Sequence, residues 1–242
     1  MSDDNTQPEN PFARRGFIAA AIVVGVIVLA GVIVLVTSLT SPKGDPVVQP
    51  TNTGGPLAAG DDKSICGLEG FEEESTLTDA PDTEWELVGT VAAPTDPEGA
   101  GPGVIAADGF RSCYAHTAQG ALYFTVNFLA IGTDATIRDQ LIDLVQAGPG
   151  RNAAQEAQEN STGDSGSGIR AQVAGFKIGS YDGDSATVDL ALNTSTGVLV
   201  SQPIKLVWEA GDWKVIFAED GTLPLEPAQL QSLGGYIPWA GA

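Results

Sequence analysis

The chain has 242 residues, with 31 Asp plus Glu against 11 Lys plus Arg, a formal charge of −20, 43% hydrophobic residues, 15 Pro, two Cys and one His. At about 100 to 200 residues per domain, that length holds one anchored domain or two small ones. The carboxylate excess excludes a footprint on a phosphate backbone, which needs a basic stripe, so no direct nucleic-acid binding is expected.

Residues 16–41 (GFIAAAIVVGVIVLAGVIVLVTSLTS) carry no charge and are mostly Ile, Val, Leu and Ala. A bilayer core about 30 Å thick is crossed by about 20 apolar residues in a helix, which predicts one transmembrane helix here. The run is longer than the roughly 7–15 apolar residues of a cleavable signal peptide. Cys66, preceded by Lys63-Ser64-Ile65, lies too far beyond it for a lipoprotein signal. Arg14 and Arg15 precede the run and only Lys43 follows closely. The positive-inside rule then predicts a cytoplasmic tail over 1–15 and the rest of the chain outside the plasma membrane. That outer part holds 28 acidic and 9 basic residues. Ala21 and Gly25 form a small-xxx-small pair, suited either to contact with a second copy or simply to lipid.

Residues 42–63 contain four Pro and four Gly without hydrophobic periodicity, the composition of a semi-extended linker. An extracytoplasmic domain is expected over 64–242. Its two cysteines, Cys66 and Cys113, lie in a compartment where disulfides persist, which favours a bond between them over two separate buried thiols. Such a bond closes a long loop and stabilises by about 4 kcal/mol on the chain-entropy account.

Trp85, Leu87, Gly89 and Val91 alternate with Glu86, Val88 and Thr90, the period of one short strand, and residues 94–103 (PTDPEGAGPG) read as a loop. Thr117 is placed to cap a helix over Ala118–Ile131 whose apolar arc is broad enough for near-complete burial. Thr133 or Asp134 is expected to cap a second helix running through Val145, with Gly148-Pro149 as its stop. A short polar helix over 151–159 and a flexible loop over 161–168 follow. Helices therefore occupy about 117–160. From residue 169 the period changes to two. Ile169, Ala171 and Val173 alternate, the phase slips at Ala174-Gly175, and Phe176 and Ile178 continue it, which reads as a bulged strand. Three further runs, separated by turns at Asp182-Gly183, Thr194–Gly197 and Ala210–Asp212, complete an antiparallel meander over about 169–218. Its one apolar face needs a helical layer, so the expected class is α+β.

No serine nucleophile elbow, phosphate-binding glycine loop, HExxH run or calcium-loop spacing is present, and two cysteines without clustered His ligands make no zinc site. No catalytic, cofactor-binding or metal-binding residue is expected, and no cofactor. His116 reads as a helix-start residue fixed beside the disulfide, with the competing reading of a general base in a cavity. Asp182, Asp184 and Asp212 read as turn residues, and Asp189 alternates away from the apolar face.

Helices followed by a bent four-strand meander ending in Val207-Trp208-Glu209-Ala210-Gly211-Asp212-Trp213-Lys214-Val215 resemble the nuclear-transport-factor-two-like cone fold. Behind one membrane span and a Pro-rich linker, the arrangement looks like the bitopic assembly factors of type IV secretion and conjugation systems. Trp85-Glu86-Leu87-Val88-Gly89, Gly101-Pro102 and Arg111-Ser112-Cys113-Tyr114-Ala115-His116-Thr117 with Gly120-Ala121 are similar to an actinobacterial family of single-pass membrane proteins associated with mobile elements. The resemblance marks Trp85, Gly89, Gly101, Pro102, Arg111, His116, Gly120, Trp208 and Trp213 as motif residues with structural roles. It implies a curved sheet wrapped around the helices and a non-enzymatic scaffold of a conjugation- or secretion-type envelope machine. The partners it implies are other envelope proteins, the plasma membrane through the anchor, and a second copy of the chain. The alternative it leaves is a surface module whose cone cavity holds a lipid or small apolar molecule.

Overall fold

The change of hydrophobic period near residue 170 separates helices from the main sheet. The computed structural model of the protein describes residues 63–160 and 170–241, all within a unit running from Gly55 to Ala242. The expected membrane helix over 16–41, the linker up to residue 62 and the loop over 161–168 lie outside the described residues. Among those described, no helix is long and apolar enough to cross a membrane. The class is α+β, with a mostly antiparallel sheet.

Helix α1, Ala118–Gly132, is buried on almost every side, as its broad apolar arc requires. Thr117 caps it, accepting the Gly120 amide at 3.0 Å on its hydroxyl. The polar residues it buries are satisfied: the Asn127 amide nitrogen donates to the carbonyls of Tyr123 and Pro94, and the Thr125 hydroxyl to that of Ala121. Thr133 closes this helix instead of opening the next, its hydroxyl donating to the Ala130 carbonyl at 2.7 Å. The Asp134 carboxylate is taken up by the amide and hydroxyl of Thr136. With both expected caps engaged elsewhere, Ile137 starts the following segment without a side-chain cap, and Arg138–Leu144 forms a 3₁₀ helix in place of the expected α-helix. Helix α2, Pro149–Asn160, begins at the proline that was expected to act as a stop. The first turn of a helix has no intrahelical use for an N–H, so Pro starts it at no hydrogen-bond cost.

The single strand expected through Val91 is instead a hairpin, β1 (Glu84–Val88) and β2 (Val91–Thr95), turning at Gly89-Thr90. The expected loop over 94–103 therefore begins inside β2. A second small ribbon pairs β3 (Val104–Ile105) with β4 (Arg111–Ser112). The main sheet contains the expected meander, β5 (Ala171–Tyr181), β6 (Ser185–Thr194), β7 (Leu199–Glu209) and β8 (Asp212–Val215). Its register shifts between Val173 and Gly175, and again between Ile178 and Ser180, a second irregularity the period did not reveal. Two tail strands raise the sheet from the expected four strands to six. β9 (Ala228–Leu230) pairs with β7, and β10 (Ile237–Pro238) adds to β5, giving the order β10-β5-β6-β7-β8 with β9 alongside β7.

One face of the sheet, including Phe176, Val188, Leu190, Ile204 and Leu206, joins α1 in a single core. Part of the other face meets the tail through Tyr236. Asp189 points there and is still buried, accepting hydrogen bonds from Ser201 and Tyr236 and paired with Lys177. Beyond β10, the Trp239 ring lies 4.5 Å from that of Trp85 and 5.5 Å from that of Phe176. Its indole N–H donates to the Thr83 hydroxyl at 3.0 Å. One tail residue thus fastens the β1–β2 hairpin to the sheet. Truncation to Trp239→Ala leaves a cavity between the Trp85 and Phe176 rings and should cost about 3–5 kcal/mol in urea unfolding. A loss below about 1 kcal/mol would show that the tail does not hold the hairpin.

Candidate functional site

The sequence's densest group of chemically capable residues, Arg111 to Thr117, runs between β4 and α1. Cys113 takes φ +67°, a left-handed conformation that costs a residue with a side chain about 1–3 kcal/mol. What holds it there is Asp212, at the start of β8. The Asp212 carboxylate accepts the Cys113 amide at 2.8 Å on one oxygen and the Tyr114 amide at 2.9 Å on the other. Its own neighbour, the Trp213 amide, donates to it at 3.0 Å. Consecutive amides turned to one side by a left-handed residue make a small anion cradle, and here the anion is internal. Burial pushes the Asp212 carboxyl above the usual range, while the three amides pull the other way. Cys113 is bonded to Cys66, with the two Cα atoms 6.1 Å apart. The adjoining Ile65 amide donates to the Gly211 carbonyl at 2.8 Å, so the irregular acidic segment is tied to the same hairpin tip.

His116 follows in a fully enclosed position, 1% exposed. Its ring stacks on Trp208 with centroids 3.9 Å apart and planes 5° from parallel, and it meets the rings of Phe71 and Trp213 edge to face. Trp208 and Trp213 are directly paired across β7 and β8, with their rings edge to face 5.3 Å apart, so both reach the imidazole. The His116 Nε2 lies 3.0 Å from the Gly183 carbonyl, which can only accept, so that nitrogen carries the proton. The backbone carbonyl of His116 receives the Glu72 amide and the Tyr181 hydroxyl, at 3.3 and 3.4 Å. The Trp213 indole donates to the Ala115 carbonyl at 3.0 Å. Four separate stretches of chain therefore converge on residues 113–116.

The remaining motif residues support this hub or lie apart from it. At Gly120, a Cβ would stand 2.0 Å from the Ala115 carbonyl oxygen, so only glycine lets the first turn of α1 close onto the segment. Gly101, joined to Pro102 by a cis peptide, has φ +108° and lies against the Tyr114 ring. The buried Arg111 guanidinium pairs with Glu86 of β1 and reaches the Asn127 side-chain oxygen at 3.5 Å. Trp85 and Gly89 lie on the β1–β2 hairpin, Trp85 under Trp239 and not in the hub. Sequence reasoning missed Phe71, Glu72, Tyr181 and Gly183 as hub members and treated Asp212 as ordinary turn chemistry. No local signal distinguishes a buried Asp after a glycine from an exposed one. Among the described residues, no group of His, Cys, Asp and Glu side chains is arranged to hold a metal ion.

The sequence profile of a family described as a domain of unknown function, DUF8175, matches residues 47–238. The chain belongs to that family. The DUF8175 region thus includes the disulfide, the hub and both tail strands, and stops one residue short of Trp239. No curated protein and no solved structure matches the chain.

Replacing Asp212 by Asn leaves one acceptor oxygen facing two divergent amides, so Asp212→Asn should lose about 1–3 kcal/mol. The pH dependence has a definite sign. The folded pKa of Asp212 is raised above its ordinary 3.8, so its contribution is fully present below that value and is lost as pH rises through the folded pKa. The exposed carboxyls of Asp108, Asp134 and Asp220 are lowered by their hydrogen bonds and act only below 3.8. As pH rises above 3.8, wild type should therefore lose stability relative to Asp212→Asn in denaturant unfolding. An equal slope in both proteins would remove Asp212 from the account.

Proposed function

We propose that the protein is a single-pass membrane-anchored scaffold with its domain outside the plasma membrane, a component of a conjugation- or secretion-type envelope machine that acts by binding other proteins. The apolar run over 16–41 behind Arg14 and Arg15 supports the anchor and its orientation. The Cys66–Cys113 bond suits an oxidising compartment. The observation that carries the reading is the use made of His116. The only histidine, the first choice for acid–base work, is enclosed by three aromatic rings and donates its Nε2 proton to a backbone carbonyl. Its enclosure supports a bracing role over acid–base chemistry. Phe124, Phe128 and Phe176 fill the core between α1 and the sheet, which favours a packed scaffold of cone type over a lipid-holding cavity.

A complementation test in donor cells lacking the protein separates the readings. Wild type should restore conjugative transfer. A version in which residues 1–41 are replaced by a cleavable signal, releasing a folded domain, should fail to restore it. His116→Asn loses the Trp208 stack and the bond to the Gly183 carbonyl, because its amide reaches only as far as Nδ1 does, so transfer should fall only as far as the amount of folded protein does. Restoration by the released domain, or loss of transfer in His116→Asn at unchanged abundance, would overturn the proposal.

A further inference from the structure

The two sides of the main sheet are finished differently. On the β7–β8 side, β8 pairs from Leu206 to Glu209, the Ile216 amide continues to the Lys205 carbonyl, and β9 takes Leu199 to Ser201. The outer side of β8 meets the loop after the 3₁₀ helix, through a bridge between Val145 and Val215 and the Gln146 amide on the Val215 carbonyl. On the β5 side, β10 pairs only with Gly175 and Phe176, and the Trp239 amide reaches the Ala174 carbonyl. From Lys177 to Tyr181 no strand or bridge among the described residues lies along that edge. Five residues at about 3.3 Å each leave roughly 16 Å of unpaired strand, with the register shift between Ile178 and Ser180 inside it. Native sheets seldom leave such an edge open, because its free N–H and C=O groups template another strand.

The open edge borders a groove of about 320 Å³. Ser75 and Leu77 line it together with Lys177, Ile178 and Tyr181 of β5, and Ile237 of β10 contributes at the strand's covered end. At the Tyr181 end the surroundings are negative. Asp182 and Asp184 lie in the turn that directly follows β5, and the Glu72 amide shares the His116 carbonyl with the Tyr181 hydroxyl, so three acidic residues gather at this end. None of these three takes part in an ion pair among the described residues. At the other end Lys177 is already paired with Asp189.

We propose that the β5 edge from Lys177 to Tyr181 receives an extended, Lys- or Arg-bearing segment of a partner protein as a seventh strand. Main-chain hydrogen bonds supply the attachment, and alternate side chains of the guest face the groove against Leu77, Ile178 and Ile237. A basic guest residue meets Glu72, Asp182 and Asp184, which sets its direction and accelerates encounter with a strongly acidic domain. The inference rests on the scaffold reading and gives it a surface and a partner chemistry.

The test uses the full chain in detergent and two ten-residue peptides, one alternating valine with lysine and one alternating valine with glutamate. Hydrogen exchange should slow about 10-fold or more in the segment 177–181 with the lysine peptide at saturation, and not with the glutamate peptide. Leu77→Trp, which fills the groove from its far wall, should abolish the protection. The double variant Asp182→Asn and Asp184→Asn keeps the turn's hydrogen bond to Ser185 and should weaken binding about 3- to 10-fold, with a smaller difference at high salt. Absence of protection at 177–181, equal protection by both peptides, or indifference to both variants would overturn the proposal. Those outcomes leave the complementation result untouched. Failed complementation alongside intact protection would instead leave a peptide-binding edge and remove the scaffold role.

Discussion

A carboxylate held by three backbone amides decides how this domain is put together. Asp212 lies where the last hairpin of the sheet begins its return strand, and Cys113 and Tyr114 lie where the ribbon before α1 turns into the helix. These positions are 98 and 99 residues apart in sequence. The interaction stabilises a left-handed residue that would otherwise cost about 1–3 kcal/mol, and it fixes the exit direction of the chain into Thr117 and α1. An asparagine would offer one acceptor oxygen where the Asp212 carboxyl offers one to each amide.

The other contacts of the hub take their places from that clasp. With residues 113–116 set, the imidazole of His116 falls onto Trp208, the Ala115 carbonyl meets the Trp213 indole, and the disulfide draws in the segment around Cys66. Glu72 then caps α1 by accepting the Ala118 amide at 2.9 Å, beside the cap from Thr117. A stretch rich in acidic residues, Pro and Gly thus gains order from two hydrogen-bonded ties and one covalent bond, without an apolar period of its own. This arrangement leaves the sole histidine inside, while the edge of β5 from Lys177 to Tyr181 has no strand or bridge along it among the described residues. Cys66, Cys113, His116 and Asp212 are all engaged in contacts within the domain.

Much of the frame could be read from the sequence where periodicity is strong. Helix α1 showed itself by a broad apolar arc behind Thr117, and the β5–β8 meander by strict alternation with a phase slip at Ala174-Gly175. Reading failed where the structure depends on few residues or on distant partners. Gly89 sits in an unbroken alternation, so one strand and a tight hairpin look alike there. Asp134 and Thr133 look like caps, yet each was claimed by a nearer partner. The tail strands are two and three residues long, too short for any period, although Tyr236-Ile237-Pro238-Trp239 is an aromatic-rich run in an otherwise polar terminus. Of the hub, Cys66, Cys113, His116, Trp208 and Trp213 stood out by residue type. Asp212, Glu72 and Tyr181 did not, because their roles arise only when strands far apart in the chain meet.

The central claim is that the Asp212 clasp is part of the global fold and not a local ornament. Native-state hydrogen exchange at the amides of Cys113, Tyr114 and Trp213 tests it most directly. If the clasp opens only when the domain unfolds, all three exchange with the free energy and denaturant dependence of global unfolding, together with the amides at the centre of β6. Exchange of these three amides at a distinctly lower free energy and without denaturant dependence, while β6 remains protected, would contradict it.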